Sequence, residues 1–176
     1  MPVARMVPNP GAEWLALAPI RLGRVPPGIG TPACYVTVES EGGDPILRCD
    51  LYTSGDPECF AFQDARIWKS WVVIGFGHAI HLVGLEGQPS SSVALGCYFG
   101  HFYPGDECLL VASCDHLHRF DPDGSKKWRS AQLGLDGVVV HRVAGGAIEG
   151  DGEWDPPGGW RPFRVSLASG TGLEPR

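Results

Sequence analysis

Sliding the chain against itself by 37 residues brings a run of like residues into register, and no other feature constrains the fold as tightly. Val73-Ile74 falls on Leu110-Val111, Ile80 on Leu117, His81 on His118, Val83 on Phe120, Gly87 on Gly124 and Gly100 on Gly137, with no gap needed. A second step of 37 places Val111 on Ile148, after which the eight residues Trp154 to Arg161 must be skipped before His118 meets Phe163 and Phe120 meets Val165. A period of roughly 20–50 residues belongs to repeat architectures, and about 40 with four strands is the size of a propeller blade. The register predicts that residues 72–108 and 109–145 are equivalent antiparallel units. Whether residues 33–71 make a further unit stays open, because only Val36–Val38 falls in step, on Val73–Gly75.

Within one unit the chain reads as a meander: Leu109–Ser113, His116–Phe120, a turn at Asp121-Pro-Asp-Gly124, Lys127–Arg129 and Val138–Val143. Proline presets φ at the second turn position, and glycine accepts positive φ after it. Further β-rich runs lie at Cys34–Val38, Ile46–Cys49, Trp71–Ile74, Ile80–Val83, Cys108–Val111 and Phe163–Leu167. Short runs at this spacing, among 25 glycines and 16 prolines, predict an all-β fold. Two arrangements satisfy it: a small or partial β-propeller-like array of meander repeats, or a two-sheet β-sandwich. Around Pro57 to Lys69 a helix competes with strand or irregular structure, and the aromatic spacing of Phe60, Phe62 and Trp68 favours the latter.

Residues 1–32 hold seven prolines and four glycines, a density that predicts an irregular arm ahead of a single β-repeat domain over 33–176. Trp14, Leu15, Leu17 and Ile20 are expected to pin that arm to the domain. The apolar stretch near the N-terminus is broken by Pro19, which predicts no cleavable secretory signal and a cytoplasmic location.

The run LLVASCDHLHRFDPDGSKKWRS, residues 109–130, resembles the repeat unit of quinoprotein-type β-propellers, with Trp128 following the turn. The likeness is to blade scaffolding, so no quinone or metal ligand is implied. DGVVVHRV followed by GDGEWDPPGGWRPF is similar to an uncharacterised bacterial protein family, which implies a bacterial source and names no activity.

A net charge of −6 argues against nucleic acid, and no apolar run approaches the ~20 residues of a membrane span. Nucleophile elbows, phosphate loops and dinucleotide fingerprints are absent from the sequence, and no cofactor is expected. The six cysteines form no C-x-x-C pair, which predicts buried thiols with neither disulfide framework nor zinc. Cys114, His116 and His118, spaced i, i+2, i+4, would share one face of a strand and offer metal ligands, but the repeat makes His81 and His118 scaffold positions. Glu149, Asp151, Glu153 and Asp155 alternate, as a charged strand edge or a Ca²⁺ site would.

The insertion Trp154 to Arg161 decorates one unit, and such loops carry binding on repeat scaffolds. Trp154, Asp155, Trp160 and Arg161 are therefore the candidate contact residues, with a structural cap as the competing reading. Together these features predict a non-catalytic bacterial module that binds another protein, of immunity or accessory type. The competing class is a carbohydrate-active or metal-assisted hydrolase using Asp151, Glu153 and His116.

Overall fold

A computed structural model describes residues 1–53 and 62–174. Those residues form an all-β protein of four small sheets, with one single-turn helix, and divide into two compact units, Met1–Ala94 and Leu95–Arg176.

In the first unit, β1 (Val3–Val7), β2 (Ile20–Gly23), β3 (Cys34–Glu39) and β4 (Pro45–Tyr52) form one sheet in the order β1-β3-β4-β2. Residues 1–32 are thus no irregular arm: they supply both flanking strands, β1 antiparallel to β3 and β2 parallel to β4. The prolines do not forbid this, because a sheet-edge strand leaves one row of backbone groups unpaired. Pro2, Pro8 and Pro19 also lie just outside the strands. The helix α1 (Ala12–Leu15) between β1 and β2 buries Trp14, whose carbonyl accepts a bond from Arg48 Nη1 at 3.2 Å; Leu15 stays exposed. Of the four residues expected to pin this segment, Trp14 is buried and Ile20 packs against the core, while Leu15 does not.

The second sheet is the meander β5 (Asp64–Trp68), β6 (Trp71–Phe76), β7 (Ala79–Gly84) and β8 (Ser91–Ala94). Strand β5 settles the described end of the ambiguous stretch, while Pro57 and Phe60 lie outside the described residues. Every residue of β6 is buried, as its unbroken apolar run requires. Val36, Val38, Cys49 and Leu51 of the first sheet pack with Val72, Ile74, Phe76 and Val83 of the second to form the unit's core.

In the second unit, β9 (Phe99–Pro104), β10 (Leu109–Ser113), β11 (Leu117–Phe120) and β12 (Lys126–Arg129) make another antiparallel meander. Its cross-strand pairs lie 37 residues from those of the sheet β5–β8: Ile74 faces His81 and His81 faces Ser92, as Val111 faces His118 and His118 faces Arg129. Each sheet starts one strand before the unit read from sequence, at Asp64 and Phe99.

The last sheet has three strands, β13 (Val138–Ala144), β14 (Ala147–Glu153) and β15 (Trp160–Ser166). Gly145 and Gly146, at φ 57° and 74°, make the two-residue turn between β13 and β14, a conformation that side chains disfavour. Ile148 pairs with Val165, two residues beyond the Phe163 that the repeat offset would place there. Leu110, Ala112 and Leu117 pack with Val138, Ile148 and Val165 to form this unit's core.

Candidate binding cleft

Strand β14 alternates two kinds of residue. Ile148, Gly150 and Gly152 are buried, and Gly152 has to be glycine, because a Cβ there would lie 1.7 Å from the Leu133 carbonyl oxygen. Glu149, Asp151 and Glu153, at i, i+2, i+4, share the opposite side. The expected charged edge is overturned: β14 is the central strand of its sheet, bonded to β13 and β15 along its length. Its carboxylates are placed by partners. Glu149 lies opposite Arg164 and accepts from its Nε at 3.3 Å, and Glu153 Oε1 accepts the Gly158 amide. Asp155 falls beyond the strand end, so the four carboxylates do not form one row.

Asp151 meets a residue that sequence reasoning missed. In β13, Val140 faces Gly150 and Arg142 faces Glu149, which leaves His141 as the extra residue of a β-bulge. The bulge re-aims the side chain, and His141 Nε2 comes to 2.8 Å from Asp151 Oδ2. A cleft of about 610 Å³ opens here, lined by His141, Arg142, Asp151, Pro162, Arg164 and Leu173. That is within the ~300–1,000 Å³ typical of ligand clefts. Leu173 is held there because its amide donates to the Arg164 carbonyl at 2.8 Å. Arg142 is exposed and makes no ion pair among the described residues.

On β15 the residues Trp160, Pro162 and Arg164 alternate along one side, so the cleft and Trp160 share a sheet face. Trp160 is 45% exposed. Its ring edge lies over Gly137, where an added Cβ would come within 2.8 Å of it. The Arg161 guanidinium sits 5.9 Å from the Trp154 ring centroid, a cation–π contact. The candidate contact residues are thus on the surface and partly ordered by one another. Asp155 is exposed in the turn that carries the cis Pro156–Pro157 bond, and its carbonyl accepts the Gly159 amide at 3.0 Å.

The other sequence-read cluster does not assemble. Strand β11 begins only at Leu117, so Cys114, His116 and His118 share no strand face. Cys114 is bonded to Cys97, one disulfide where the cysteine spacing predicted none. The physical cause is the turn after β10: the Cys114 amide donates to the Tyr98 carbonyl at 3.0 Å and brings the two Cα atoms to 5.9 Å. Cys34, Cys49 and Cys108 are buried thiols as expected; burial pushes the Cys49 thiol up to about 12. Cys59 lies outside the described residues.

His116 lies against Asp115, Nδ1 to Oδ1 2.7 Å, and against the Arg129 guanidinium at 2.9 Å. Burial raises the Asp115 carboxyl, but its bonds with His116 and Ser113 outweigh this and hold it below the usual range. His118 is fully buried with neither ring nitrogen bonded, and burial, aided by Lys126 and Arg129, lowers it to about 3. His81, 37 residues earlier in the chain, is lowered by burial to about 4, with Nδ1 at 2.7 Å from Ser92 Oγ. Both are neutral scaffold residues.

No protein-family model matches this sequence, and no curated protein does. Among solved structures, a protein of unknown function from Bacteroides caccae is 13% identical with a TM-score of 0.49, the match covering 80% of this chain and 58% of that one. KlHsv2 with loop 6CD replaced by a Gly-Ser linker is 12% identical with a TM-score of 0.43, covering 76% of this chain and 42% of the other. The chain spans less than two thirds of the length of either structure.

Proposed function

We propose that this chain is a non-catalytic bacterial protein-binding module, built from blade-type repeats and engaging its partner through the exposed face of β13–β15. The observation that carries the reading is the placement of Trp160 and the 610 Å³ cleft on that one face. Tryptophan and arginine dominate binding energy where they can be desolvated together, and Trp160, Arg142 and Arg164 supply both types on this face. An acidic side chain or chain end of the partner fits Arg142, which is exposed and makes no ion pair among the described residues, Glu149 opposite it being bonded to Arg164. The 37-residue spacing of the His81 and His118 strand pairs supports the repeat reading. Among the described residues no helix is long and apolar enough to cross a membrane. A cytoplasmic, immunity-type or accessory role completes the proposal; in that compartment the Cys97–Cys114 bond would be held reduced.

A photo-crosslinking residue placed at exposed Arg142, on the cleft face, tests it in the producing cell, with the same residue at exposed Lys127 as control. A single protein adduct from position 142, absent at 127 and lost with Trp160→Ala, is the expected result. No adduct from 142 overturns the reading.

One observation favours an enzyme instead: the cleft joins a histidine and a carboxylate at 2.8 Å, the geometry of an oriented general base. Hydrolysis of glycoside or ester chromogenic substrates that disappears in both His141→Ala and Asp151→Asn would establish that class and displace the binder.

A further inference from the structure

The turns after β8 and β10 bring together a group of side chains that the cleft does not use. Cys97 Sγ, Cys114 Sγ and an Asp115 carboxylate oxygen all lie within 4.8 Å of one another. Cys114 is buried, while Cys97 and Asp115 are half-exposed and leave a path to solvent. Asp115 is held by its neighbours, with Ser113 Oγ donating to Oδ1 at 2.9 Å and His116 Nδ1 at 2.7 Å from the same oxygen. Bonding of this kind fixes a ligating carboxylate and is a regular companion of metal ligands.

We propose that Cys97, Cys114 and Asp115 form a redox-gated site for a thiophilic divalent cation of the zinc and cadmium class. In the oxidised protein the sulfurs are joined to each other and are not ligands. A dithiol reductant supplies two electrons and two protons, becoming a disulfide itself, and the S–S bond gives two thiols. The incoming cation displaces both thiol protons and forms two metal–sulfur bonds, with Asp115 as the third ligand. Zinc–sulfur bonds of about 2.3 Å in tetrahedral geometry need sulfurs roughly 3.8 Å apart. Rotation about the Cα–Cβ bonds supplies that spacing with the Cα atoms left at 5.9 Å. Two thiolates and a carboxylate around a dication leave one negative charge, which the Arg129 guanidinium against His116 offsets. Three protein ligands leave one coordination position for water, as in sites that are not purely structural. The soft thiolate pair selects zinc or cadmium over magnesium or calcium.

The test uses the full chain, reduced with a dithiol that is then removed anaerobically, and titrated with cadmium chloride while the thiolate-to-cadmium charge-transfer absorbance is followed. The expected result is saturation at one equivalent in the reduced protein and no band in the oxidised one. Cys97→Ser and Cys114→Ser should each abolish the tight phase. Asp115→Asn, which leaves every cysteine in place, should weaken binding at least roughly tenfold, since even an outer-shell partner is worth that much. Absence of a saturating band in reduced protein overturns the proposal. So does an unchanged band in folded Cys97→Ser and Cys114→Ser, which would place the metal on Cys34, Cys49, Cys59 or Cys108. Unchanged affinity in Asp115→Asn removes the carboxylate from the site and refutes it as stated.

Discussion

Acidification should destabilise this protein through His81 and His118. Both imidazoles are buried, at 2% and 0% exposure, and burial lowers them from 6.5 to about 4 and about 3. A base kept neutral by the fold binds its proton more readily in the unfolded chain. The stability it contributes is therefore complete above pH 6.5, and falls as the pH drops from there toward the folded-state value. Each pH unit inside that window costs about 1.36 kcal/mol per histidine. At pH 4.5, still above both folded values, each residue should have cost about 3 kcal/mol, a large share of the ~5–15 kcal/mol that holds a domain together. Asp115, also shifted in the fold, begins to matter only below its ordinary value of 3.8, so it does not compete in this window.

The assay is equilibrium urea unfolding between pH 7.5 and 4.5, read by tryptophan fluorescence, alongside the imidazole NMR resonances in the folded protein. His118→Leu is the informative variant, because no bonded partner is left behind when the ring goes. It should hold or raise stability at pH 7.5, as apolar replacement of an unsatisfied buried group does. It should also flatten the pH dependence by one proton, about 1.36 kcal/mol per unit. A folded-state His118 resonance that titrates near pH 6.5, or an unchanged slope in the variant, would show that the ring reaches water or a partner and refute the reasoning.

Three further outcomes are expected. Arg48 and Asp50 are an ion pair at 2.9 Å with both side chains buried, so Arg48→Met should cost about 3–5 kcal/mol in urea melts, and Arg48→Met/Asp50→Leu should recover much of it. Reducing Cys97–Cys114, which closes a loop of 17 residues, should lower the stability of the second unit by about 3 kcal/mol, seen as a lower urea midpoint with a dithiol present. His141 is mostly exposed at the cleft, so His141→Ala should move stability by no more than about 0.5 kcal/mol, and a larger loss would make the His141–Asp151 contact structural.

The residues legible in the sequence are those whose position follows from local alternation. Trp71–Ile74, Ile80–Val83 and Val138–Val143 announce strands because β-branched and aromatic runs between turns have few other uses. Strands β1 and β2 were hidden by their prolines, which signal a break whether the chain is irregular or merely lies at a sheet edge. Nothing short of the paired neighbour distinguishes the two. Cys97 and Cys114 stayed hidden for a similar reason: their meeting depends on one backbone bond between separate turns.

The cleft shows the same limit at finer grain. Counting back from the Gly145-Gly146 turn pairs Arg142 with Glu149 correctly, and then pairs His141 with Gly150, a combination with no chemistry. The bulge shifts the count by one, and only then does a histidine meet Asp151. The eight residues Trp154 to Arg161 act likewise, carrying Trp160 onto the face that holds the cleft, two residues out of step with the 37-residue offset. Periodicity therefore locates the scaffold, and the candidate site lies where periodicity fails. A bulge or an insertion is tolerated in a sheet only where it does not break the packed face, and β13–β15 has one face in the core and one exposed. Departures from register collect on that exposed face. The resulting side chains are free to serve a partner because the core residues beneath them, Val138, Ile148 and Val165, already hold the sheet in place.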